Sequence, residues 1–344
     1  IERLAAEGRN SPADVLMTVD AGELWNAAER GLLQPVKSAV LERNVPAHLR
    51  DPGGRWFGLS MRARTIAYSP KRVDPATLGT YEALAAPAWK GRLCLRTSKK
   101  VYNQSLVATL IAAQGEATTE RIVRGWVANL ATDVFANDTQ LLEAIAAGQC
   151  DVGIVNTYYY GRIVKERPDF PVKLFWANQG AGGVHVNISG AGIAKHSRRI
   201  AAATRFLEWL SGSAAQAHFA AVNMEFPVNP AAAVDPLVKS WGSFEPSLIN
   251  VAEAGRLQPA AVRLMDRAGY RWRMPSVARR PWAVGALIVL ATPALLPLLS
   301  AAAAWTAPAG EVWAHQLQYV LPRVAGNTAL LLLIVGAATG ILGP

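Results

Sequence analysis

Three consecutive tyrosines, Tyr158 to Tyr160, are the residues whose type and spacing are most suggestive of chemistry in this sequence. They stand in the segment VNTYYYGR, between an apolar run typical of a buried strand and a stretch that predicts the start of a helix. Phenolate oxygen is a hard, anionic donor, and it suits a hard trivalent cation better than the softer metals that Cys and His prefer. Free tyrosine titrates near ~10, so a bound metal ion has to displace the phenol proton at pH 7.

The position of a bend decides whether two neighbouring tyrosines can share one ion. Adjacent residues of a helix point about 100° apart, so both side chains reach one point only from a strand-to-helix bend. Tyr158 and Tyr159 fall at such a predicted bend, and Arg162 follows closely enough to hydrogen-bond a phenolate. Core packing of the tyrosines is the alternative, and by spacing alone it is the favoured one.

The elements around the tyrosines predict the fold class. Strand-like and helical runs alternate from about residue 13 to residue 221, which indicates an α/β protein in two lobes with a mostly parallel sheet. The helix that contains NQSLVATLIAAQG is predicted to be capped at Asn103, and Asp138 or Thr139 is placed near the N-cap of another helix. Sites in such sheets lie at the carboxyl ends of strands, where the next helix begins.

Composition excludes several classes of function. The chain has 344 residues and a formal net charge of +10, but its basic residues are scattered rather than interleaved with aromatics, which argues against nucleic-acid binding. Cys94 and Cys150 lack the spacing of metal ligands and are predicted as two buried strand residues, with a disulfide as the alternative. No nucleophile–base pair or cofactor fingerprint is evident, so we expect no enzymatic activity.

Six segments follow one another along the chain: NSPADVLMTVDAG, WFGLSMRARTIAY, WKGRLCLRTSKKVYNQS, NTYYYGR, HVNISGAG and FPVNP. Their order and intervals resemble those of bacterial ferric-iron-binding proteins, the substrate-binding components of iron ABC transporters. The likeness covers about residues 1–272. It implies a two-lobed α/β periplasmic-binding-protein fold, type II-like, in which tyrosines hold Fe(III) in the cleft between the lobes, and we expect C-terminal transmembrane helices to follow this fold.

The resemblance also implies which residues bind the metal ion. The adjacent family tyrosines match Tyr158 and Tyr159, and a further family tyrosine matches Tyr102 in the YNQS stretch. Tyr160 stands where the family often has an aliphatic residue, and we predict that it packs. His185, the first residue of HVNISGAG, is predicted to have a structural role near a crossing between the lobes.

Arginines are the second part of the implied site. Arg62 and Arg96 match basic residues near the cleft of the family, where they balance phenolate charge or hold a partner anion such as carbonate. Arg162 joins them as a predicted supporting or anion-binding residue. Solvated surface arginines are the alternative for Arg62 and Arg96.

The implied function is the capture of ferric iron for import. The binding domain, residues 1–273, is expected to be a periplasmic monomer that delivers iron to an ABC permease and its ATPase. The alternative is a periplasmic binding protein for another small ligand, such as a polyamine, sulfate or another anion. The chain begins inside a helix tail, so we expect that upstream residues are missing, among them a His or Tyr that the family often contributes to the metal.

The far end of the chain differs in character. No charged residue occurs between Arg280 and Glu311, and two apolar stretches, near 282–304 and 325–344, predict transmembrane helices. Residues 274–344 resemble the start of the partner permease, so we interpret the chain as two neighbouring transporter proteins joined in frame, the second part lying in the inner membrane. The arginines before the first span predict a cytoplasmic flank, which conflicts with a periplasmic binding domain.

Overall fold

The computed structural model describes residues 1–270, 315–328 and 330–331. The chain divides into two compact units, Ile1–Arg273 and Met274–Pro344. The predicted span near 282–304 lies outside the described residues, and so does most of the span near 325–344. Within the described ranges, no helix is both long and apolar enough to cross a membrane. The two spans and the joined permease therefore stay predictions.

Described residues of the second unit are helical from 315 to 328, with a π-helical segment at Gln316–Val320.

In the first unit, seven strands form a sheet in the order β1-β7-β3-β5-β4, with β2 beside β7 and β6 beside β3. The strands are β1 (Val15–Thr18), β2 (Leu33–Gln34), β3 (Phe57–Tyr68), β4 (Leu93–Cys94), β5 (Val152–Asn156), β6 (Lys173–Phe175) and β7 (Val186–Ala194).

The prediction of a mostly parallel sheet was wrong. Among the described strands only β4 and β5 pair in parallel, and β3 runs antiparallel to β5, β6 and β7. β7 is in turn antiparallel to β1 and β2. The alternation of strands and helices along the chain does not predict whether paired strands are parallel or antiparallel. Here one long strand, β3, pairs with three others.

Helices cover the sheet. They are α1 (Glu2–Glu7), α2 (Ala21–Glu29), α3 (Ala39–Asn44), α4 (Val101–Gln114), α5 (Glu116–Ala128), α6 (Asp138–Ala146), α7 (Thr157–Glu166), α8 (Ile200–Ser211), α9 (Ser213–Asn223), α10 (Pro236–Lys239) and α11 (Ala252–Arg267). The helix α11 packs against both α2 and α4.

Strand β3 joins two lobes. Its first half, up to Ala63, pairs with β7, whereas its second half, from Arg64, pairs with β5. One large apolar cluster surrounds the first half, and two further clusters surround the second half. The chain returns to the first lobe at His185, which precedes β7 and whose carbonyl accepts a hydrogen bond from the Arg64 amide at 3.0 Å. This geometry confirms the two-lobed α/β fold.

The two cysteines form a disulfide, so the prediction of two unlinked buried residues was wrong. Cys94 ends β4 and Cys150 lies just before β5, and the parallel pairing of these strands places the two Cα atoms 5.9 Å apart. The two cysteines are 56 residues apart in sequence, so no local pattern indicates that they are in contact. The disulfide links the strands immediately before the predicted metal-binding elements.

One predicted helix cap differs, whereas Asp138 lies directly after an N-cap, as predicted. Asn103 lies inside α4, which begins at Val101 after Lys100 and has no side-chain cap. The N-cap of α6 is Asn137, whose side chain accepts from the Gln140 amide. Asn103 and Asp138, the first residue of α6, are therefore free to hydrogen-bond elsewhere in the fold.

Candidate functional site

A cavity of about 570 Å³ in the first unit gathers the predicted tyrosines. Tyr102 reaches it from α4, and Tyr158 and Tyr159 reach it from the first turn of α7. Residues of β1 and of the segment after it, Met17, Thr18 and Val19, form the opposite wall, together with Ser189 from β7 and Phe219, Asn223 and Glu225 from the region of α9. The phenols therefore face a wall that belongs to the other lobe.

The bend between β5 and α7 sets the directions of the two neighbouring tyrosines. Strand β5 is buried along its whole length and ends at Asn156, and α7 begins at the next residue. The rings of Tyr158 and Tyr159 lie side by side, with their centroids 4.4 Å apart. Tyr158 and Tyr159 are the second and third residues of α7, directly after the bend and not at it, and both line the same cavity.

A glycine permits the close packing of α7. An added Cβ at Gly161 would lie 2.8 Å from the Trp241 ring and 3.0 Å from the Met224 Cβ atom. Real Cβ atoms essentially never come as close as the first of these distances. The small residue thus allows α7 to lie directly against Met224 at the end of α9 and against Trp241 after α10.

The phenol of Tyr158 is strongly held in its neutral form. Burial raises its pKa well above the ordinary value, and hydrogen bonding with the side chains of Tyr102 and Tyr159 raises it further. Tyr158 thus interacts with both of the other phenols. At neutral pH the Tyr158 hydroxyl carries its proton, so a cation has to displace that proton in order to bind the oxygen.

Three arginines surround the phenols. The Arg62 guanidinium carbon lies 5.4 Å from the ring centroid of Tyr102, and that of Arg162 lies 5.0 Å from the ring centroid of Tyr158. Both arginines line the cavity. Arg62 is almost fully buried and donates to the Val19 carbonyl and, at 3.3 Å, to the Ser189 hydroxyl, whereas Arg162 is exposed.

Arg96 is buried next to the rings and contacts two of the tyrosines. Its guanidinium donates to the Tyr159 hydroxyl at 3.3 Å and lies 5.1 Å from the ring centroid of Tyr102. Burial opposes its charge, but Asp138, 3.6 Å away, and Tyr159 outweigh this effect and raise the pKa of Arg96. Arg62 and Arg96 are therefore not solvated surface residues, which corrects that alternative.

Tyr160 and His185 lie apart from the phenol cluster. Tyr160 makes an edge contact with Trp241, at 5.8 Å between ring centroids, and packs in an apolar cluster. His185 is buried at the crossing between the lobes, where burial, followed by the charges of Arg64 and Arg62, lowers its pKa to about 3. Its side chain lines a different cavity, of about 400 Å³.

Sequence reasoning missed the carboxylate in the cavity wall. Glu225 follows α9, and its side chain accepts a hydrogen bond from the Ser60 hydroxyl on β3. Nothing in the local pattern around NMEFPVNP distinguishes it from a surface residue. The part of the chain that the structure describes contains no group of three or more His, Cys, Asp or Glu side chains placed to hold a metal ion. The cavity lining thus combines three phenols with one carboxylate.

Two lobes joined by a crossing strand, with a polar cavity between facing walls, define a solute-binding protein of the kind that closes over a small ligand. The family model described as bacterial extracellular solute-binding protein matches residues 10–246, and the chain belongs to this family. Membership confirms the prediction of a binding protein rather than an enzyme.

Several known proteins that are similar to this chain have names that refer to iron uptake or iron binding. The iron uptake protein A2 of Synechocystis is 46% identical over 279 residues, which cover 79% of this chain and 81% of the relative. A Trichodesmium structure in complex with iron and citrate is 44% identical with a TM-score of 0.76, and the match covers 79% of this chain and 87% of that one. An open form of the ferric iron-binding protein A of Mannheimia haemolytica is 37% identical with a TM-score of 0.74, over 78% and 86% of the two chains.

Proposed function

We propose that the protein binds ferric iron through the phenolate oxygens of Tyr102, Tyr158 and Tyr159 and delivers it for import. The observation that carries the proposal is that three phenols from two different helices line one cavity beside cationic side chains. Core packing explains a buried tyrosine, but it gives no reason for three interacting phenols to open into the same polar cavity. The names of the iron-binding relatives support the same assignment.

Charge favours a trivalent cation together with an anion. Three phenolates neutralise one Fe(III), and the guanidinium groups of Arg62, Arg96 and Arg162 lower the free energy of the deprotonated phenols. Arg62 and Arg162 also line the cavity, where they are placed to hold an anion such as carbonate next to the metal. The citrate in the Trichodesmium structure supports an anionic partner.

The proposed location and partners of the protein are those that its family suggests. We infer that residues 1–273 act in the periplasm as a monomer and pass the ion to an ABC permease driven by its ATPase. Lobe closure about β3 would enclose the ion, and opening at the permease would release it. We also propose that residues 274–344 form an attached permease segment and that this segment lies in the inner membrane.

A titration with ferric iron tests the function. We expect the protein, when offered ferric nitrilotriacetate, to develop a visible phenolate-to-iron charge-transfer band that saturates at one iron per chain. Sulfate and spermidine, offered under the same conditions in a calorimeter, should give no comparable binding. A colourless protein that binds sulfate or spermidine instead would exclude iron and support the alternative ligand class.

Iron affinity should rise with pH. Because burial raises the pKa of Tyr158, its phenol is neutral at pH 7, and each phenol that binds the metal releases a proton. With three phenolate ligands, the logarithm of the affinity should gain up to ~3 per pH unit, after correction for protonation of the competing chelator. Titrations at several pH values between 6 and 8 measure this slope.

The matched control is Tyr102→Phe, which removes one ionisable ligand without changing the ring. Its slope should be about one smaller than that of the parent protein, because one fewer proton is released. An affinity that does not depend on pH in either protein would contradict binding by phenolates.

A further inference from the structure

Arg64 is the buried side chain that connects the phenol-bearing elements. It is 1% exposed and lies on β3 at the point where the strand passes from one lobe to the other. A buried guanidinium is costly unless its N–H groups are satisfied, and it has five of them. Arg64 donates five hydrogen bonds, and all of its acceptors are polar groups of the second lobe.

These bonds reach three separate segments. The Nε and Nη2 atoms donate to the Asn103 side-chain oxygen at 3.0 and 2.7 Å. The Nη1 atom donates to Asp138 at 2.9 Å and to the Asn156 side chain at 3.0 Å. A second bond from Nη2, at 3.0 Å, ends at the Ile154 carbonyl on β5. One planar group therefore joins α4, α6 and the end of β5.

Each of these segments carries or supports one of the phenols. Asn103 directly follows Tyr102, and Asn156 lies two residues before Tyr158. Asp138 lies 3.6 Å from the Arg96 guanidinium, whose Nη1 atom donates to the Tyr159 hydroxyl. The partners of Arg64 thus lie next to Tyr102 and near Tyr158 in the chain, and Asp138 is linked to Tyr159 through Arg96.

Further bonds stiffen the same arrangement. The side-chain nitrogen of Asn103 donates to the carbonyls of Arg96 and Thr97 at 2.8 and 3.0 Å, so the segment after β4 is held to α4. One carboxylate oxygen of Asp138 accepts from the backbone N–H of Asn156 at 2.9 Å, just before α7. Arg64 lies at the centre of a network in which every phenol-bearing segment is fixed to another.

We propose that Arg64 is a positioning residue for the metal site: it holds the segments of Tyr102, Tyr158 and Tyr159 in register, so that their oxygens converge before the ion arrives. The inference deepens the proposed function and rests on it. Arg64 does not line the cavity of the phenols. Its backbone carbonyl accepts from the Tyr81 hydroxyl and its amide donates to His185, so the same residue also anchors the crossing between the lobes.

Arg64→Lys tests the proposal, because it keeps the positive charge but replaces the five-donor fork with one ammonium group. That group cannot span the three segments, so we expect a 10-fold to 100-fold loss of iron affinity, as for partners that orient metal ligands. The charge-transfer band should also shift or broaden, since the geometry of the phenolates around the iron has changed. Affinity is measured by competition with nitrilotriacetate and the band by absorption spectroscopy.

A matched control separates positioning from general stability. Arg55→Lys changes another arginine that pairs with a carboxylate, Asp51, at 2.8 Å, and neither residue lines the cavity of the phenols. It should lower the unfolding midpoint without changing the iron affinity or the band. If Arg55→Lys and Arg64→Lys lose affinity in the same proportion to their loss of stability, the role of Arg64 is only structural and the proposal fails.

A second variant keeps the test decisive if Arg64→Lys does not fold. Asn103→Ala removes one acceptor of Arg64, together with the bonds that the Asn103 side chain donates to Arg96, Thr97 and Tyr270. It leaves the ion pair with Asp138 in place, and we expect about a 10-fold loss of affinity with a shifted band. Wild-type affinity and an unchanged band in the folded variant would overturn the positioning role. A parent protein that gives no band at all would instead refute ferric-iron binding, so the two failures are distinguishable.

Discussion

Changing Tyr158 and Tyr159 together to phenylalanine should abolish the charge-transfer band and lower the affinity for ferric iron by several orders of magnitude. Phenylalanine retains the rings, whose centroids lie 4.4 Å apart, but removes two of the three anionic oxygens. Removing those oxygens leaves a trivalent ion beside Arg62 and Arg162, whose positive charges then repel it instead of stabilising its ligands. Metal analysis after dialysis against nitrilotriacetate, together with the visible spectrum, measures the effect.

The control for this double variant is Tyr160→Phe. Tyr160 belongs to the same run of tyrosines, but it packs against Trp241 and does not line the cavity. Its loss should leave the band and the bound iron unchanged. A double variant that still retains one iron per chain, or a Tyr160→Phe variant that loses it, would refute the assignment of Tyr158 and Tyr159 as ligands.

The second large effect concerns stability. Replacing Cys94 and Cys150 with alanine should lower the free energy of unfolding by about 4 kcal/mol, the chain-entropy value for a loop of the observed length. The link closes 56 residues, among them α4, α5 and α6, so its loss frees a long segment of the unfolded chain. Denaturant unfolding followed by circular dichroism measures the change.

Reduction provides the control for the disulfide. The parent protein with dithiothreitol should unfold at nearly the same denaturant concentration as the double alanine variant, because both lack the link. The alanine variant itself should not respond to the reductant. A reduced parent protein that unfolds at the oxidised midpoint would show that the link contributes little.

Local patterns predicted much of the site. The strand-to-helix bend just before Tyr158 and Tyr159 follows from a buried run that ends at Asn156 and a helix that starts at the next residue, and both depend on neighbours a few positions away. The role of Tyr102 came from the order of its segment among the others. Its placement in the same cavity needed the structure, because α4 lies far from α7 in sequence.

Other features had no local signal. Asn103 looked like a helix cap, yet it lies within α4 and binds Arg64, a residue 39 positions earlier. The same holds for the ion pair between Arg64 and Asp138, 74 positions apart. Periodicity reports which face of an element is buried, but not which polar group of another element lies opposite it. The antiparallel sheet escaped prediction for the same reason.

The sequence by itself showed neighbouring phenols near a predicted strand-to-helix bend, in an α/β chain with arginines spaced along it. Short-range sterics and side-chain chemistry act over a few residues, so they can be read directly from the order of the letters. Only the tertiary structure decided that Tyr102, Arg62 and Arg96 meet these phenols and that Arg64 joins the segments behind them. Such contacts arise when distant elements pack together and bury their polar groups, and each buried donor then needs a partner wherever the fold supplies one.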